Sequence, residues 1–111
     1  MHDNAQEKDW KVFRNMAPEL RERYLIDRNE ELASILNDDQ LSQTDRFWEV
    51  EKKTKQTAKV LRECLDGHTR SRMGSFMIIM IGYGMMTNDD LLKFSVETQE
   101  RYLPYCNKFG R

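Results

Sequence analysis

The segment Phe76-Met-Ile-Ile-Met-Ile-Gly-Tyr-Gly-Met-Met86 is the longest apolar stretch of a chain that is otherwise rich in charged residues. It is too short to cross a bilayer, which requires about 20 apolar residues. A run this apolar is typical of an element that is buried on all sides. The rest of the sequence offers no partner strand that would satisfy its backbone. We therefore predict a short, buried, Met-rich helix over about 75–84.

The sequence around this segment favours helices. Its polar positions are mostly Glu, Lys, Arg and Gln, which are good helix formers, and only two prolines and five glycines interrupt the chain. The length of 111 residues corresponds to one domain. We predict an all-α fold, a four- to five-helix bundle that forms a single helical domain over 1–111, with 1–5 and 104–111 as flexible tails.

Two helices are predicted before residue 40. The first covers Gln6 to Met16, and the second begins at Pro18, because proline suits the first turn of a helix. The second helix runs to about residue 36, and its apolar positions form an inner face made of Leu20, Tyr24, Leu25, Arg28, Leu32, Ile35 and Leu36.

A long central helix is predicted over about 43–72. It begins at Ser42, which has capping-box-like spacing to Asp45, and Gly67 marks a bend or break near its end. Steps of four and three residues along this helix give a heptad-like seam made of Phe47, Glu51, Thr54, Ala58, Leu61, Leu65 and His68. The last helix is predicted from Asn88 to about Leu103, where Pro104 ends it.

The balance of charge indicates self-association. Residues 1–50 carry seven basic and twelve acidic side chains, whereas 51–75 carry seven basic and three acidic ones, so the two regions attract each other within a chain or between chains. A short chain with few apolar residues often needs an oligomer to complete its core. We predict a homodimer whose association surface contains Phe47, Leu61, Leu65, Met73, Phe76, Met77, Met80 and Tyr83. Whether one chain or two bury the Met-rich segment stays open.

The sequence contains no motif that indicates an enzyme, a metal site or a cofactor site. Cys64 and His68 share a helix face, but two Cys and two His give too few ligands for a structural metal, and we interpret both as packing residues. Gly82 and Gly84 lack the third glycine of a dinucleotide loop, which would stand at Thr87. We predict a non-enzymatic protein–protein interaction protein, such as an adaptor, inhibitor or accessory factor, without metal or cofactor.

The setting predicted for this protein is the cytoplasm. Two cysteines in a chain of this size do not make a disulfide framework, and the polar N-terminus does not have the pattern of a signal peptide. The expected partners are a second copy of the chain and an unidentified protein, and no membrane association is expected.

One alternative function is a DNA-binding regulator. Residues 91–103 contain a Leu-Leu start, a Ser-x-Glu-Thr step and an Arg-Tyr-Leu end. This segment resembles the turn and recognition helix of bacterial helix-turn-helix regulators, so the resemblance implies a helix-turn-helix-like segment over 87–103. The residues available for phosphate contacts are then the basic stripe of the long helix together with one arginine of the last helix: Lys52, Lys55, Lys59, Arg62 and Arg101.

Overall fold

Five α-helices follow one another in the computed structural model, which describes residues 4–109 apart from the side chain of Asn4. They are α1 (Asn4–Leu36), α2 (Gln43–Leu65), α3 (Met73–Gly82), α4 (Asn88–Leu91) and α5 (Val96–Phe109), with a 3₁₀ turn (Arg70–Arg72) before α3. The part of the chain that the structure describes contains no strand. The prediction of an all-α bundle with four to five helices is therefore confirmed.

The longest helix is α1, and it runs through Pro18, where the sequence predicted a boundary between two helices. Proline inside a helix removes one backbone hydrogen bond and costs about 3 kcal/mol. Here the buried stripe continues in register on both sides of the exposed proline, with Phe13 and Met16 before it and Leu20 after it. Burial of these side chains in one core outweighs the local cost, so the two predicted helices are one.

The second helix of the fold, α2, is shorter than the predicted 43–72. It begins as expected, since the Ser42 hydroxyl accepts a hydrogen bond from the backbone N–H of Asp45 at 3.0 Å. It ends at Leu65 because Gly67 adopts a left-handed conformation with φ 77°, which turns the chain away from the helix axis. Residues 70–72 then form the separate 3₁₀ turn.

The Met-rich helix α3 is largely buried, and a single chain buries it; it is not buried on all sides as predicted, because Ile79 is 37% exposed. Met77, Met80 and Ile81 have no exposed surface. The chain reverses at Gly84, whose φ of 76° allows the backbone N–H of Met85 to reach the carbonyl of Met80 at 2.8 Å. This turn sends the two following methionines back into the same core, where each is 1% exposed.

The predicted last helix is divided into α4 and α5, and it does not end at Pro104. Thr98, Tyr102 and Cys106 form a buried stripe at spacings of four residues that passes the exposed proline and holds the helix together to Phe109. Residues 104–109, predicted as part of a flexible tail, therefore belong to α5, and residues 4–5 of the other predicted tail belong to α1. The remaining tail positions, 1–3 and 110–111, lie outside the described residues.

The buried residues are gathered at one end of an elongated molecule measuring 61 × 26 × 18 Å. The last buried residue of α1 is Leu20, and the first of α2 is Val60. Between them, residues 21–59 form a two-helix hairpin, which we call the arm. The helices α3 to α5 and the adjoining ends of α1 and α2 form the base. No helix in residues 4–109 has the length and apolar character needed to span a membrane.

Two buried carboxylates fasten α1 to the C-terminal part of the base. Asp9 accepts hydrogen bonds from the backbone N–H of Ser95 at 2.8 Å and from the hydroxyls of Ser95 and Thr98 at 2.8 and 2.6 Å. Its negative charge also lies at the start of α5, where the helix dipole favours an anion.

Asp90 makes the second connection. It accepts hydrogen bonds from the Arg23 guanidinium at 2.6 and 3.2 Å and from the backbone N–H and hydroxyl of Thr87 at 2.8 and 3.0 Å. Burial raises the pKa of the Asp90 carboxyl, but these hydrogen bonds and the Arg23 charge outweigh it and hold the pKa below the usual value.

The lowered pKa of Asp90 predicts a loss of stability in acid. A group whose pKa is lower in the folded than in the unfolded state stabilises the fold above its unfolded pKa, near 4 for Asp, and this contribution is lost as the pH falls through the folded pKa. Asp90→Asn is expected to lower the free energy of unfolding by about 2 kcal/mol at pH 7 and to flatten its decline below about pH 4. Urea unfolding followed by circular dichroism between pH 2 and 7 measures both effects. Asp89→Asn, on the exposed neighbour, is the control; an equal loss in that variant contradicts the assignment.

Candidate protein interaction surface

The arm consists of two antiparallel helices joined by a polar seam. Glu31 of α1 and Lys53 of α2 form an ion pair at 3.3 Å, and they line a cavity of about 190 Å³ together with Tyr24, Arg28 and Val60. The Arg28 guanidinium lies 5.4 Å from the centre of the Tyr24 ring, and its buried Nε has no hydrogen-bond partner among the described atoms. The Glu31 and Lys53 side chains are each about one third exposed, and ion pairs of this kind contribute little to stability, so the seam alone does not hold the arm as an apolar core would.

The side chains directly after the seam positions are mainly apolar on both helices. Residues 24, 31 and 35 of α1 are followed by leucines, and residues 46, 57 and 60 of α2 are followed by Phe, Ala and Leu. Each following residue is rotated by about 100° around its helix axis. In α2 the chain runs in the opposite direction to α1, and its seam residues point in the opposite direction, towards α1. These two reversals cancel, so the residues that follow seam positions lie on the same side of the hairpin in both helices. With Val50, which lies between this side and the seam, they form one surface that we call the lateral face: Leu25, Leu32, Leu36, Phe47, Val50 and Ala58 of the arm, and Leu61 where α2 enters the base. The polar residues Asn29 and Thr54, which follow the seam positions Arg28 and Lys53, lie on the same side.

The helices of the base lie on the opposite side of the hairpin. Residues that precede seam positions point there, and two of them contact the base. Arg23 is bonded to Asp90, and Glu63 accepts a hydrogen bond from the Tyr83 hydroxyl at 2.6 Å. Further out along the arm this opposite side is polar, with Asp27, Glu30, Ser34, Asp45, Lys52 and Gln56. The two sides of the arm therefore differ, and the lateral face is the more apolar of the two; Ile26 and Trp48 are also exposed on the arm, outside this face.

No described part of the chain covers the outer end of the lateral face. Leu36 is 51% exposed and Phe47 is 60% exposed. The other members of the lateral face are partly buried. Trp48, 59% exposed, packs edge to face on Phe47 with ring centres 4.9 Å apart. Contiguous exposed apolar side chains on a folded protein are typical of interaction sites, and aromatic residues are enriched among those that dominate binding energy.

The eight residues predicted for association are found in two places. Phe47 and Leu61 belong to the lateral face, and Leu65 continues its line into the base. Leu61 and Leu65 are both partly buried and pack against the core. The others belong to the base: Phe76, Met77 and Met80 lie in the core, Met73 packs against it, and Tyr83 lies at the surface of the base. Most of the Met-rich segment is thus internal, because the chain reverses at Gly84 and α4 and α5 then pack in the same base.

Tyr83 and Cys64 show how their surroundings suppress ionisation. The hydrogen bond to Glu63, together with burial and the Glu63 charge, raises the pKa of Tyr83 to about 12. Burial raises the pKa of the Cys64 thiol to about 12 as well. His68 Nε2 lies 2.6 Å from the backbone carbonyl oxygen of Cys64, so this ring nitrogen donates to the backbone rather than accepting a thiol proton. Cys64 and His68 do not form a nucleophilic pair.

The residues of the DNA-binding alternative lie in separate regions. Lys52, Lys55, Lys59 and Arg62 follow the outer edge of α2, where Lys55 pairs with Glu51 at 2.7 Å and Lys59 with Glu63 at 3.9 Å. Arg101 lies in the base and lines a cavity of about 650 Å³ beside the Glu7–Arg70 ion pair. The helix preceding the recognition-like segment, α4, has only four residues. Within residues 4–109, no group of three or more His, Cys, Asp or Glu is arranged to hold a metal ion.

Comparison of the chain with known protein families, with curated proteins and with solved structures finds no match. The surface is therefore interpreted from its own geometry. Sequence reasoning identified Phe47 and Leu61 through the heptad-like steps of α2. It assigned Leu25, Leu32 and Leu36 to an inner face. The periodicity of α1 does not show which of its residues contact α2 and which lie beside that contact, and only the pairing of the two helices distinguishes them.

Exposure of the lateral face predicts a contrast between two kinds of substitution. Phe47→Ala is expected to change the free energy of unfolding of the dilute chain by no more than about 0.5 kcal/mol, as for other surface positions. Met80→Ala, which empties a site in the core, is expected to cost about 2–5 kcal/mol. Urea unfolding at submicromolar concentration measures both, and a similar cost for the two variants contradicts the division into arm and base.

Proposed function

We propose that this chain is a non-enzymatic protein–protein interaction protein, an adaptor, inhibitor or accessory factor, that binds through the lateral face of its arm. The observation that carries the proposal is the difference between the two sides of the hairpin. One side is polar or covered by the base, and the other presents apolar side chains outward, including Leu36 and Phe47 at more than half exposure. Folding of the single chain leaves Leu36 and Phe47 exposed, so these side chains contribute little to the stability of its core.

The energetics favour binding by this surface. Transfer of an exposed Leu or Phe side chain into a contact contributes about 1.5–3 kcal/mol. The side chains are carried on helices that are already formed, so little backbone freedom is lost when a partner docks. The neighbouring Phe47–Trp48 pair supplies aromatic area at the end of the arm. Together these features suit a rigid helical surface that receives another helical or apolar surface.

Duplex DNA is not the partner that the geometry favours. The basic residues of α2 and Arg101 lie on the arm and in the base respectively, and two of the lysines are paired with glutamates of their own helix.

The proposed setting is the cytoplasm, which suits the two buried, unpaired cysteines.

Site-specific photocrosslinking tests the proposal. A photoreactive phenylalanine analogue replaces Phe47 in the lateral face or, as the matched control, Val96, which is also exposed but lies in the base. After irradiation of native cells, mass spectrometry identifies the adducts. Protein adducts are expected at position 47 and not at position 96. Equal adducts at both positions, or none at position 47, contradict binding through the lateral face.

A further inference from the structure

We propose that the occupant of the lateral face is a second copy of this chain, bound antiparallel, so that two arms form one four-helix bundle. This inference rests on the proposed function, because it uses the same surface. It identifies the partner and fixes the orientation in which that partner binds.

The α2 part of the lateral face is complementary to itself when its direction is reversed. On α2, Phe47 and Leu61 lie seven residues before and after Thr54, and Val50 and Ala58 lie four residues on either side of it. A two-fold axis at Thr54 therefore places each Phe47 against Leu61 of the second copy and each Val50 against Ala58 of the second copy. Large side chains then meet smaller ones, and the same patch serves both chains, as a two-fold interface requires.

The charge distribution also favours the antiparallel orientation. Residues 27–51, the outer half of the arm, carry eight acidic and two basic side chains, a net charge of −6. Residues 52–75 carry seven basic and two acidic ones, a net charge of +5. Antiparallel arms place these oppositely charged stretches beside each other. Parallel arms would place the two acidic ends together, at a cost in free energy.

Individual charges agree with this arrangement. The Glu31–Lys53 ion pair shows that Thr54 is level with residue 30 of α1. Arg21 lies nine residues to one side of that level, and Asp39 lies in the turn beyond the other end of α1. The reversed copy therefore brings Arg21 close to the turn that holds Asp39 of the second copy. Within one chain Asp39 pairs with Arg46 at 3.9 Å and Arg21 with Glu22 at 3.5 Å, and such exposed pairs contribute little, so they can be exchanged for a pair between chains.

The face is large enough for a stable dimer. The 23 residues of α2 span about 34 Å at 1.5 Å per residue, and two adjacent helices are about 20 Å wide. The face therefore has an area of about 700 Å² in projection, close to the roughly 800 Å² per partner of a typical stable interface.

Sedimentation equilibrium of the purified full chain, from about 1 to 100 μM, tests self-association. The wild type is expected to be a dimer. Leu36→Glu and Phe47→Glu each place a charge in the contact and are expected to raise the dimer Kd by about 30-fold or more. Leu92→Glu changes a leucine of the base that is also more than half exposed, and it is expected to leave the dimer intact. A monomeric wild type, or equal weakening by the control, overturns the proposal; circular dichroism verifies that each variant is folded.

Disulfide trapping tests the orientation. Thr54→Cys lies at the proposed axis and is expected to form a bridge between chains under mild oxidation. Gln43→Cys is expected to stay unbridged, because antiparallel copies hold its two positions about 33 Å apart, whereas a disulfide needs Cβ atoms about 4 Å apart. The native cysteines are buried and give little background. A bridge at Gln43→Cys, or none at either position, overturns the antiparallel arrangement.

The failure of this inference is distinguishable from the failure of the proposed function. A wild type that stays monomeric while crosslinks from position 47 reach a different protein overturns the second copy as occupant and supports the proposed function. A monomer with no adduct at position 47 overturns both.

Discussion

The structure depends on one constraint: a pair of helices packed side by side has two broad sides, and residues 4–109 cover only one side of the α1–α2 hairpin. The base spreads α3, α4 and α5 over one side of the α1–α2 hairpin, and it does so only near the ends of those helices that hold Leu20 and Val60. Beyond the base the hairpin continues with a charged seam, and on its other side Leu36 and Phe47 are exposed to solvent. An isolated two-helix hairpin with a polar seam has little buried apolar area to stabilise it.

The core of the base, by contrast, is closed within one chain, although Leu92, Val96 and Leu103 are exposed on the surface of the base. The Met-rich helix fills its centre, and flexible methionine side chains suit the irregular space between helices that cross one another. Gly84 returns the chain so that Met85 and Met86 enter the same core. Asp9 and Asp90 then tie the C-terminal helices to α1 through buried hydrogen bonds. These features give the base a stability of its own and leave the arm free to serve as a surface.

The sequence is sufficient for the helical class, the buried Met-rich helix and the start of α2, because each depends on local composition, periodicity or capping. It misleads at both prolines. Pro18 and Pro104 have the local properties of helix boundaries, yet each occupies an exposed position between buried residues that keep one register, and tertiary burial outweighs the lost hydrogen bond. The lateral face was only partly predictable, since the position of Leu25, Leu32 and Leu36 on it depends on how α1 pairs with α2, which the periodicity of α1 alone does not give.

Amide hydrogen exchange measured residue by residue as a function of protein concentration tests the central claim most directly, namely that the base is complete in one chain and the lateral face of the arm is not. Local stability is expected to differ between regions that are packed and regions that await a partner. The account predicts that protection in α3 and α5 is independent of concentration, while protection across 25–58 falls when the protein is diluted from about 100 μM to below 1 μM. Protection in the arm that equals that of the base and does not change on dilution would contradict it.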